Sequence, residues 1–290
     1  MTKGNKTLNI NCRFLTEADF SKLHQTFLES FSDYFVPFQL SEEQLINHIR
    51  QNSVDVERCV GAFFEERMVG VTLNGFGTWN GKKTIYDAGT GVIPAFRNQG
   101  IGKAIFDFMT PIFQEAGFEQ ILLEVISHNE TAVRLYRKLG FETTRRLLYF
   151  EQKTPFEFVT GNKIEIREIS APDWELFESF LDGKTSWQNS LEAIRKSLRK
   201  TILGAFFEEK CIGYGVLFQN SGIIAQIAVA REFRRSGAAS MILHAMQNLV
   251  KENKHLRASN VDESLTGAVE FLRQRGFIET LSQLEMIKTL

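Results

Sequence analysis

The feature of this 290-residue chain that most limits its fold is an internal repeat. Three short patterns of the first half return in the second half, in the same order and at an offset of about 140 residues. Self-similarity at a nearly constant offset indicates a duplicated structural unit. The pairs are Gly61-Ala62-Phe63-Phe64-Glu65-Glu66 with Gly204-Ala205-Phe206-Phe207-Glu208-Glu209, Arg97-x-x-Gly100-x-Gly102 with Arg234-x-x-Gly237-x-Ala239, and Lys138-Leu139-Gly140-Phe141 with Gln274-Arg275-Gly276-Phe277. The chain is therefore predicted to contain two copies of one fold.

The boundary between the copies is predicted where the periodic pattern breaks, at Thr154-Pro155 and Thr160-Gly161-Asn162. The sequence thus predicts a first domain over residues 1–153, a linker over 154–163 and a second domain over 164–290. Both predicted domains are of ordinary size for a single hydrophobic core.

Each copy shows the same succession of apolar periods: a strand, two helices, a hairpin, a central strand, a long helix, a strand, a helix and closing strands. Helices are predicted from Thr16 to Phe31, from a capping box at Ser41 to about Gln51, and from Glu130 to Leu139. Pro111 lies inside the predicted long helix and is expected to kink it or change its hydrogen bonding. The predicted fold class is α/β, an α+β mixed sheet, present twice.

The central strand of the first copy runs into a glycine-bearing turn from which the long helix begins. The turn reads Arg97-Asn98-Gln99-Gly100-Ile101-Gly102-Lys103. A helix N-terminus leaves backbone N–H groups unpaired, and glycines let a phosphate approach the backbone, so this turn is typical of an anion site. Ala104 stands where a P-loop needs Ser or Thr, and Ile105 where a dinucleotide fingerprint needs its third glycine. A plain strand–helix turn that binds no ligand is the alternative.

The spacing Arg-x-x-Gly-x-Gly resembles the acyl-CoA pyrophosphate loop of the GNAT N-acetyltransferase superfamily. A second pattern of that family, Asn-x-x-Ala-x-x-x-Tyr-x-x-x-Gly-Phe, is matched at every interval by Asn129, Ala132, Tyr136, Gly140 and Phe141. The order of predicted strands and helices is similar to the GNAT fold in both copies. The resemblance implies two tandem GNAT-like acyl-CoA N-acyltransferase domains, each a mixed sheet that is splayed open in the middle.

The resemblance also implies roles for residues of the first copy. A bulged strand carrying Gly91, Val92 and Ile93 would pair with the pantetheine amides of acetyl-CoA, and the turn from Arg97 to Lys103 would hold its pyrophosphate. Asn129 would bond the pantetheine–phosphate arm, and Tyr136 would protonate the departing thiolate as a general acid. The alternative for Tyr136 is packing on a helix face.

An attacking amine must be deprotonated, and a carboxylate on a neighbouring strand is the usual base. Glu124 and Asp87 are the candidates, and alternation along the strands would decide between them. His128, beside Asn129, is a further possibility. Asp33 and Tyr34 lie in an aromatic segment that in this family lines the acceptor site, so they are predicted to contact the substrate; a packed loop without a ligand is the alternative.

The second copy departs from the pattern. Aligned through Gly276-Phe277, it has Leu265 at the asparagine position and Leu272 at the tyrosine position. Leucine can neither donate nor accept a hydrogen bond through its side chain, so the second domain is predicted to be catalytically degenerate.

Composition limits the class of protein. The formal net charge is −1, so nothing suggests a nucleic-acid partner, and no apolar run is long enough to span a membrane. The three cysteines are scattered without zinc spacing, which favours reduced thiols, a cytoplasmic location and no metal site.

These observations predict an acetyl-CoA-dependent N-acetyltransferase that moves an acetyl group to a primary amine of a small molecule or peptide by direct attack. The alternative is an acyl-CoA-binding, sensing or scaffold protein of the same fold without turnover. An O-acyltransferase or thioesterase-like activity is a third possibility.

Overall fold

The computed structural model describes residues 9–33, 40–157, 163–250 and 255–290. Backbone contacts divide the chain into two compact units. The first contains the residues up to Thr144 together with Glu285–Leu290, and the second contains Arg145–Leu284. The division predicted from the sequence, 1–153 and 164–290, differs from these units in two segments. Residues 145–153 belong to the second unit, and residues 285–290 belong to the first.

The first unit is a mixed sheet with helices on both faces. Its elements are β1 (Ile10–Phe14), α1 (Phe20–Ser30), α2 (Glu42–Gln51), β2 (Val60–Phe64), β3 (Arg67–Trp79), β4 (Lys82–Val92), α3 (Ile101–Glu115), β5 (Gln120–Ile126) and α4 (Glu130–Lys138). The strands lie in the order β1-β2-β3-β4-β5, antiparallel except for the parallel pair β4–β5.

Two long strands, β6 (Glu142–Gln152) and β12 (Phe277–Thr289), contribute to both units. The last residues of β12 lie beside β5, and Leu290 N donates to Glu119 O (2.9 Å). The repeat therefore does not fold as two consecutive segments: the end of the second copy completes the first sheet, whereas most of β6 lies in the second.

The second unit repeats the architecture. Its remaining elements are β7 (Ile164–Glu168), α5 (Trp174–Ser179), α6 (Leu191–Lys196), β8 (Thr201–Phe207), β9 (Lys210–Phe218), β10 (Ile223–Val229), α7 (Ala238–Leu249), β11 (Arg257–Asp262) and α8 (Thr266–Arg273). Its strands follow the order β6-β11-β10-β9-β8-β7, and β10–β11 is the parallel pair.

Local sequence explains the helix boundaries of the first unit. Ser41 Oγ accepts from Gln44 N (3.3 Å) and Gln44 Oε1 accepts from Ser41 N (2.8 Å), which confirms the predicted capping box of α2. Residues 17–19 form a 3₁₀ turn, so α1 begins later than the predicted Thr16. Helix α3 continues through Pro111 as one element, although proline cannot donate its backbone bond.

The hairpin between β3 and β4 was not predicted. Asn80 and Gly81 connect the strands with φ of 54° and 75°, both in the left-handed region. Asn-Gly is the preferred pair for such a two-residue turn. The turn joins two long strands, β3 of 13 residues and β4 of 11 residues.

Helices cover the two faces of the first sheet differently. Ile101 and Ile105 of α3 lie against Gly70, and Asn74 Nδ2 donates to Met109 Sδ of α3 (3.7 Å), so α3 packs on the face that carries these β3 residues. On the opposite face, Phe27 of α1 lies against Gly89 of β4. The centre of the sheet is thereby enclosed on both sides.

Candidate active site

Strand β4 carries a β-bulge at Ala88. The residues on either side of it, Asp87 and Gly89, lie opposite consecutive residues of β3, so Ala88 is the extra residue. A bulge bends its strand and takes one residue out of the regular pairing. The sequence reasoning expected a bulge at Gly91 to Ile93; the structure corrects its position to three residues earlier.

β4 and β5 diverge directly after the bulge. In the described residues, their parallel ladder runs from Thr84 to Asp87 on β4 and is not continued beyond. Ile93 N donates to Val69 O of β3 (3.0 Å), so strand alternation turns the N–H of Val92 away from β3 and toward the gap. Of the three residues predicted to pair with pantetheine, Val92 is thus the one that presents an N–H group there.

Asp87 is buried on the face covered by α3, at the start of this gap. Its Oδ1 accepts from Gly89 N (3.0 Å) and lies 3.4 Å from Thr72 Oγ1, and its Oδ2 accepts from Thr90 Oγ1 (2.9 Å). Burial raises the pKa of Asp87 to about 6, although these bonds and one from Tyr136 favour the carboxylate. The carboxyl group thus titrates closer to neutral pH than an exposed aspartate does.

Tyr136 reaches the same point from α4. Its ring is 7% exposed and lies edge-to-face against Phe106 and Phe141, with centroids 5.9 and 5.5 Å apart. Its phenol lies close enough to Asp87 to lower the pKa of that carboxyl group. The aromatic contacts thus fix the ring on the helix face, and the phenol faces the Asp87 carboxyl group.

Glu124, the other predicted base, lies on the opposite face of the sheet. Its Oε2 accepts from Tyr86 OH (3.2 Å), and Tyr86 precedes Asp87 in β4, so successive side chains point to opposite faces. The structure thus brings Tyr136 together with Asp87 and places Glu124 across the sheet from them.

The predicted anion loop has two residues in the left-handed region, Asn98 (φ 61°) and Gly100 (φ 80°). Gly100 is the N-cap of α3, and the N–H groups of the first helical turn follow it. Gly102 serves a different purpose, because a Cβ there would lie 3.0 Å from Leu135 of α4. Ile101 points into the core and is buried.

Arg97 and Asp33 are paired with each other. Two bonds of 2.7 Å join the guanidinium to the carboxylate, and Arg97 also donates to Val92 O (3.0 Å) and Ser30 O (2.8 Å). The guanidinium lowers the pKa of Asp33. Arg97, which was predicted to help hold the pyrophosphate, is thus ion-paired with Asp33, the acid that was predicted to contact the substrate.

The remaining predicted residues have mainly local contacts. Asn129 is the N-cap of α4, with Oδ1 accepting from Ala132 N (3.2 Å). Lys103 forms an ion pair with Asp107 one turn along α3, and His128 lies in the turn before α4. Gln99 is exposed, with Nε2 3.4 Å from Ala95 O. Tyr34 lies outside the described residues.

The second unit keeps the backbone of this site. Its bulge lies at Ala225, between Ile224 and Gln226, and its loop has Arg235 (φ 64°) and Gly237 (φ 94°) in the left-handed region. Arg234 repeats the arrangement of Arg97, because it donates to Val229 O (3.2 Å) and pairs with Asp182 (2.8 Å). The two copies thus share their main-chain geometry.

The second unit does not keep the side chains. Leu265 is the N-cap of α8 with φ −79° and ψ 64°, nearly the torsions of Asn129, so the sequence alignment through it is supported. When residues are counted from this cap and from the bulge, the second copy has apolar or amide residues at the positions of the first copy's site residues. Asp87 is replaced by Ile224, Glu124 by Asn260, Asn129 by Leu265 and Tyr136 by Leu272.

Buried polar side chains also join the diverging strands of the second unit. Tyr214 OH donates to Gln226 Oε1 (2.5 Å), Gln226 Nε2 donates to Asn189 O (2.6 Å), and Asn189 Nδ2 donates to Ser259 O (2.7 Å). This network links β10 to β11 just past the end of their ladder at Ile224–Ala258. In the first unit the position of Gln226 is taken by Gly89, which has no side chain.

Sequence reasoning missed several residues of the site. The hydroxyl groups of Thr72 and Thr90 lie beside the carboxyl group of Asp87, with 2.6 Å between their oxygens. His48 of α2 donates from Nε2 to Ala88 O (2.8 Å), at the bulge itself. Thr90 could have been noticed in the sequence only as a polar residue three positions after Asp87. No local sequence pattern distinguished Thr72 or His48 from other residues.

Two further properties concern the described residues alone. No helix within residues 9–33, 40–157, 163–250 and 255–290 combines the length and hydrophobicity that a bilayer span requires. In the same ranges, no group of three or more His, Cys, Asp and Glu side chains is placed to hold a metal ion.

Comparison with known proteins places both halves in one family. The profile of the Acetyltransferase (GNAT) family matches residues 21–141, and that of the Acetyltransferase (GNAT) domain matches residues 167–287. A curated relative, the uncharacterized N-acetyltransferase YdgE of Bacillus subtilis strain 168, is 39% identical over 54 residues. That match spans 19% of this chain and 34% of the relative, about a third of its length.

Solved structures share the fold over nearly the whole chain. A tandem GNAT protein from the clavulanic acid biosynthesis pathway is 12% identical, with 97% of this chain and 98% of that chain covered and a TM-score of 0.75. A GCN5-related N-acetyltransferase from Sphaerobacter thermophilus is 16% identical, with 97% and 95% covered and a TM-score of 0.70. The predicted mixed α/β fold in two tandem copies is confirmed, and the chain belongs to the GNAT acetyltransferase family, with one GNAT domain in each half.

Proposed function

We propose that the chain is an acetyl-CoA-dependent N-acetyltransferase whose first copy acetylates a primary amine of a small molecule or peptide. One observation carries this proposal: the Tyr136 phenol and the Asp87 carboxyl group interact where β4 and β5 separate, and the phenol lowers the pKa of that carboxyl group. An acid and a base in contact, at the opening of the sheet, are the groups that acyl transfer to an amine needs.

The residues around the gap fit acetyl-CoA as co-substrate. The N–H groups at the start of α3 and the left-handed Gly100 would receive the pyrophosphate, because no Cβ or side chain stands there. Val92 N–H would pair with a pantetheine amide, and the Asn129 side-chain amide lies at the rim of the same gap. Acetyl-CoA would supply an acetyl group activated as a thioester.

Asp87 would act as the general base. With a pKa of about 6 it is mainly ionised at pH 7.5, and it can accept a proton from the amine through a water molecule. Once Asp87 has taken one proton from the ammonium form, the neutral amine nitrogen attacks the thioester carbonyl and the C–N bond forms. The C–S bond breaks as the tetrahedral adduct collapses, and the second proton of the former ammonium group is released to water.

Tyr136 would act as the general acid. Its phenol gives a proton to the sulfur as the thiolate leaves, and the proton held by Asp87 then returns to the phenol oxygen. The two residues thereby carry the amine proton to the sulfur and end in their initial states. General acid–base catalysis of this kind contributes roughly two to four powers of ten to a rate.

Glu124 remains the alternative base. It is half-buried on the face covered by α1, and a substrate that enters from that face would meet it before Asp87. The two candidates are separated by comparing Asp87→Asn with Glu124→Gln, since only the variant of the true base loses the acid limb of the pH–rate profile.

The second copy is proposed to bind no acetyl-CoA. Its four replaced positions carry no acid or base, and the Tyr214–Gln226–Asn189 network occupies the start of its gap. Its function would be to complete the first sheet, through the residues from Glu285 onward.

The test is CoA release from acetyl-CoA in the presence of a panel of primary amines, together with calorimetric titration of acetyl-CoA. Turnover with at least one amine, abolished by Tyr136→Phe at unchanged acetyl-CoA affinity, supports the proposal. Tyr149→Phe, a tyrosine of β6 in the second unit, is the matched control and should keep full activity. Binding without turnover for any amine would favour the acyl-CoA-binding or scaffold alternative.

A further inference from the structure

The bulge at Ala88 creates a backbone group that the sheet cannot satisfy. Because Ala88 has no partner in the β3 ladder, its buried carbonyl needs another donor. His48 supplies it, with Nε2 2.8 Å from Ala88 O. A helix on one face of the sheet is thereby bonded to the irregular point of the central strand.

The bonds of His48 fix its protonation. A carbonyl oxygen only accepts, so Nε2 must carry a proton. Asn52 Nδ2 lies 3.2 Å from Nδ1, and an amide nitrogen only donates, so Nδ1 accepts. Burial lowers the pKa of His48, in agreement with a neutral ring protonated at Nε2.

One peptide plane connects His48 to Asp87. The carbonyl of Ala88 and the N–H of Gly89 belong to the same peptide, which is trans, so they point in opposite directions. The carbonyl is held by His48 on one side, and the N–H donates to Asp87 Oδ1 (3.0 Å) on the other. Bonds at both ends of a peptide group polarise each other and fix the rotation of its plane.

We propose that His48 is a positioning residue for the first copy: by holding the Ala88 carbonyl it aims the Gly89 N–H at Asp87 and so sets the carboxyl group against Tyr136. This inference rests on the proposed acetyltransferase function for its kinetic consequence, but the bonding chain itself does not depend on that function.

Comparison with the second copy indicates that His48 does more than form the bulge. Its bulge at Ala225 forms although Ser197 stands at the position of His48, seven residues after the helix cap in each copy. Ile224 and Gln226 stand where the first copy has Asp87 and Gly89. The histidine, the glycine and the acid are thus absent together from the copy that lacks the tyrosine.

A matched pair of variants tests the proposal in the full chain. The amide nitrogen of His48→Gln reaches as far as Nε2, whereas that of His48→Asn reaches only as far as Nδ1. We expect His48→Gln to keep kcat within about threefold and His48→Asn to lose about tenfold to a hundredfold in kcat, with the KM for acetyl-CoA changed less than threefold. The acid limb of the His48→Asn profile should move to higher pH, because Asp87 loses the Gly89 bond that favours its ionised form.

A folded His48→Asn variant with wild-type kcat, or equal loss in both variants, would overturn the proposal. Should His48→Asn fail to fold, nitrogen-15 NMR of the wild-type chain decides. The His48 ring must show the proton on Nε2, and the Gly89 amide must titrate with Asp87 near pH 6. A proton on Nδ1 or a Gly89 amide that does not titrate refutes the coupling. A wild-type chain without turnover, but with both NMR signatures, refutes the proposed function alone.

Discussion

Replacing Asp87 by asparagine is expected to stabilise the protein while it inactivates the enzyme. Burial raises the pKa of Asp87 to about 6, so at neutral pH the fold holds a charge that the unfolded chain hydrates more favourably. The shift from an unfolded value near 3.9 is roughly two units, which corresponds to about 3 kcal/mol.

The sign of the pH dependence follows from the direction of the shift. Between about pH 4 and pH 6 the folded state binds the Asp87 proton more tightly than the unfolded state does, so this destabilisation grows as pH rises and is complete above pH 6. The increase in the free energy of unfolding of Asp87→Asn over wild type should therefore be largest at pH 7.5, about half as large at pH 5, and close to zero near pH 4.

The asparagine amide keeps most of the local bonds. Its oxygen can accept from Gly89 N and lie beside Thr72 Oγ1, and the Thr90 hydroxyl can turn to accept from its nitrogen. Lost charge-assisted bonds reduce the gain, so we expect about 1–3 kcal/mol, or roughly 3–10 °C in the unfolding midpoint at pH 7.5.

Differential scanning fluorimetry at pH 7.5 and pH 5 measures this, with Asp107→Asn on the surface of α3 as control. The control should change stability by less than about 0.5 kcal/mol at both pH values. A midpoint for Asp87→Asn that is unchanged or lower at pH 7.5, or a rise of equal size at pH 5, would show that the buried carboxyl group is not strained by its charge.

Four further predictions follow from the site and from the strands that contribute to both units. Tyr136→Phe should lower kcat about 10²–10⁴-fold at unchanged acetyl-CoA affinity, measured by thiol release and calorimetry. Gly89→Ala should lose activity and stability, because its Cβ would lie 2.9 Å from the Phe27 ring and its φ of 150° disfavours other residues; a crystal structure with an unmoved Phe27 would contradict this. A fragment of residues 1–153 should be insoluble or unstable in circular dichroism melts, because residues 285–290 complete its sheet, and calorimetry of the full chain should give one acetyl-CoA per chain rather than two.

Much of the architecture could be predicted because it depends on local sequence patterns. Alternating apolar periods, the Ser41 capping box and the glycines of the loop depend on residues a few positions apart, so they survive in any tertiary context. The internal repeat and the Asn129–Tyr136 spacing then identified the family. Tyr136, the proposed general acid, could be predicted because a helix brings residues at fixed intervals to one face.

The pairing of side chains across the site could not be predicted in the same way. Arg97 and Asp33 were assigned separate ligands because they are 64 residues apart in the sequence, and only the packing of α1 against the loop joins them. His48 was not predicted, because the role of a buried histidine depends on the carbonyl group to which it donates. Such contacts depend on the position of whole elements rather than on spacing.

The sequence by itself determined that the chain is a duplicated GNAT fold, that its first copy carries the loop, the asparagine and the tyrosine, and that its second copy lacks the last two. Tertiary structure decided which acid meets the tyrosine and which chain segments complete each sheet. The physical reason is that one extra residue at Ala88 resets the alternation of β4, and strand exchange is set by long-range pairing, neither of which leaves a periodic trace in the sequence.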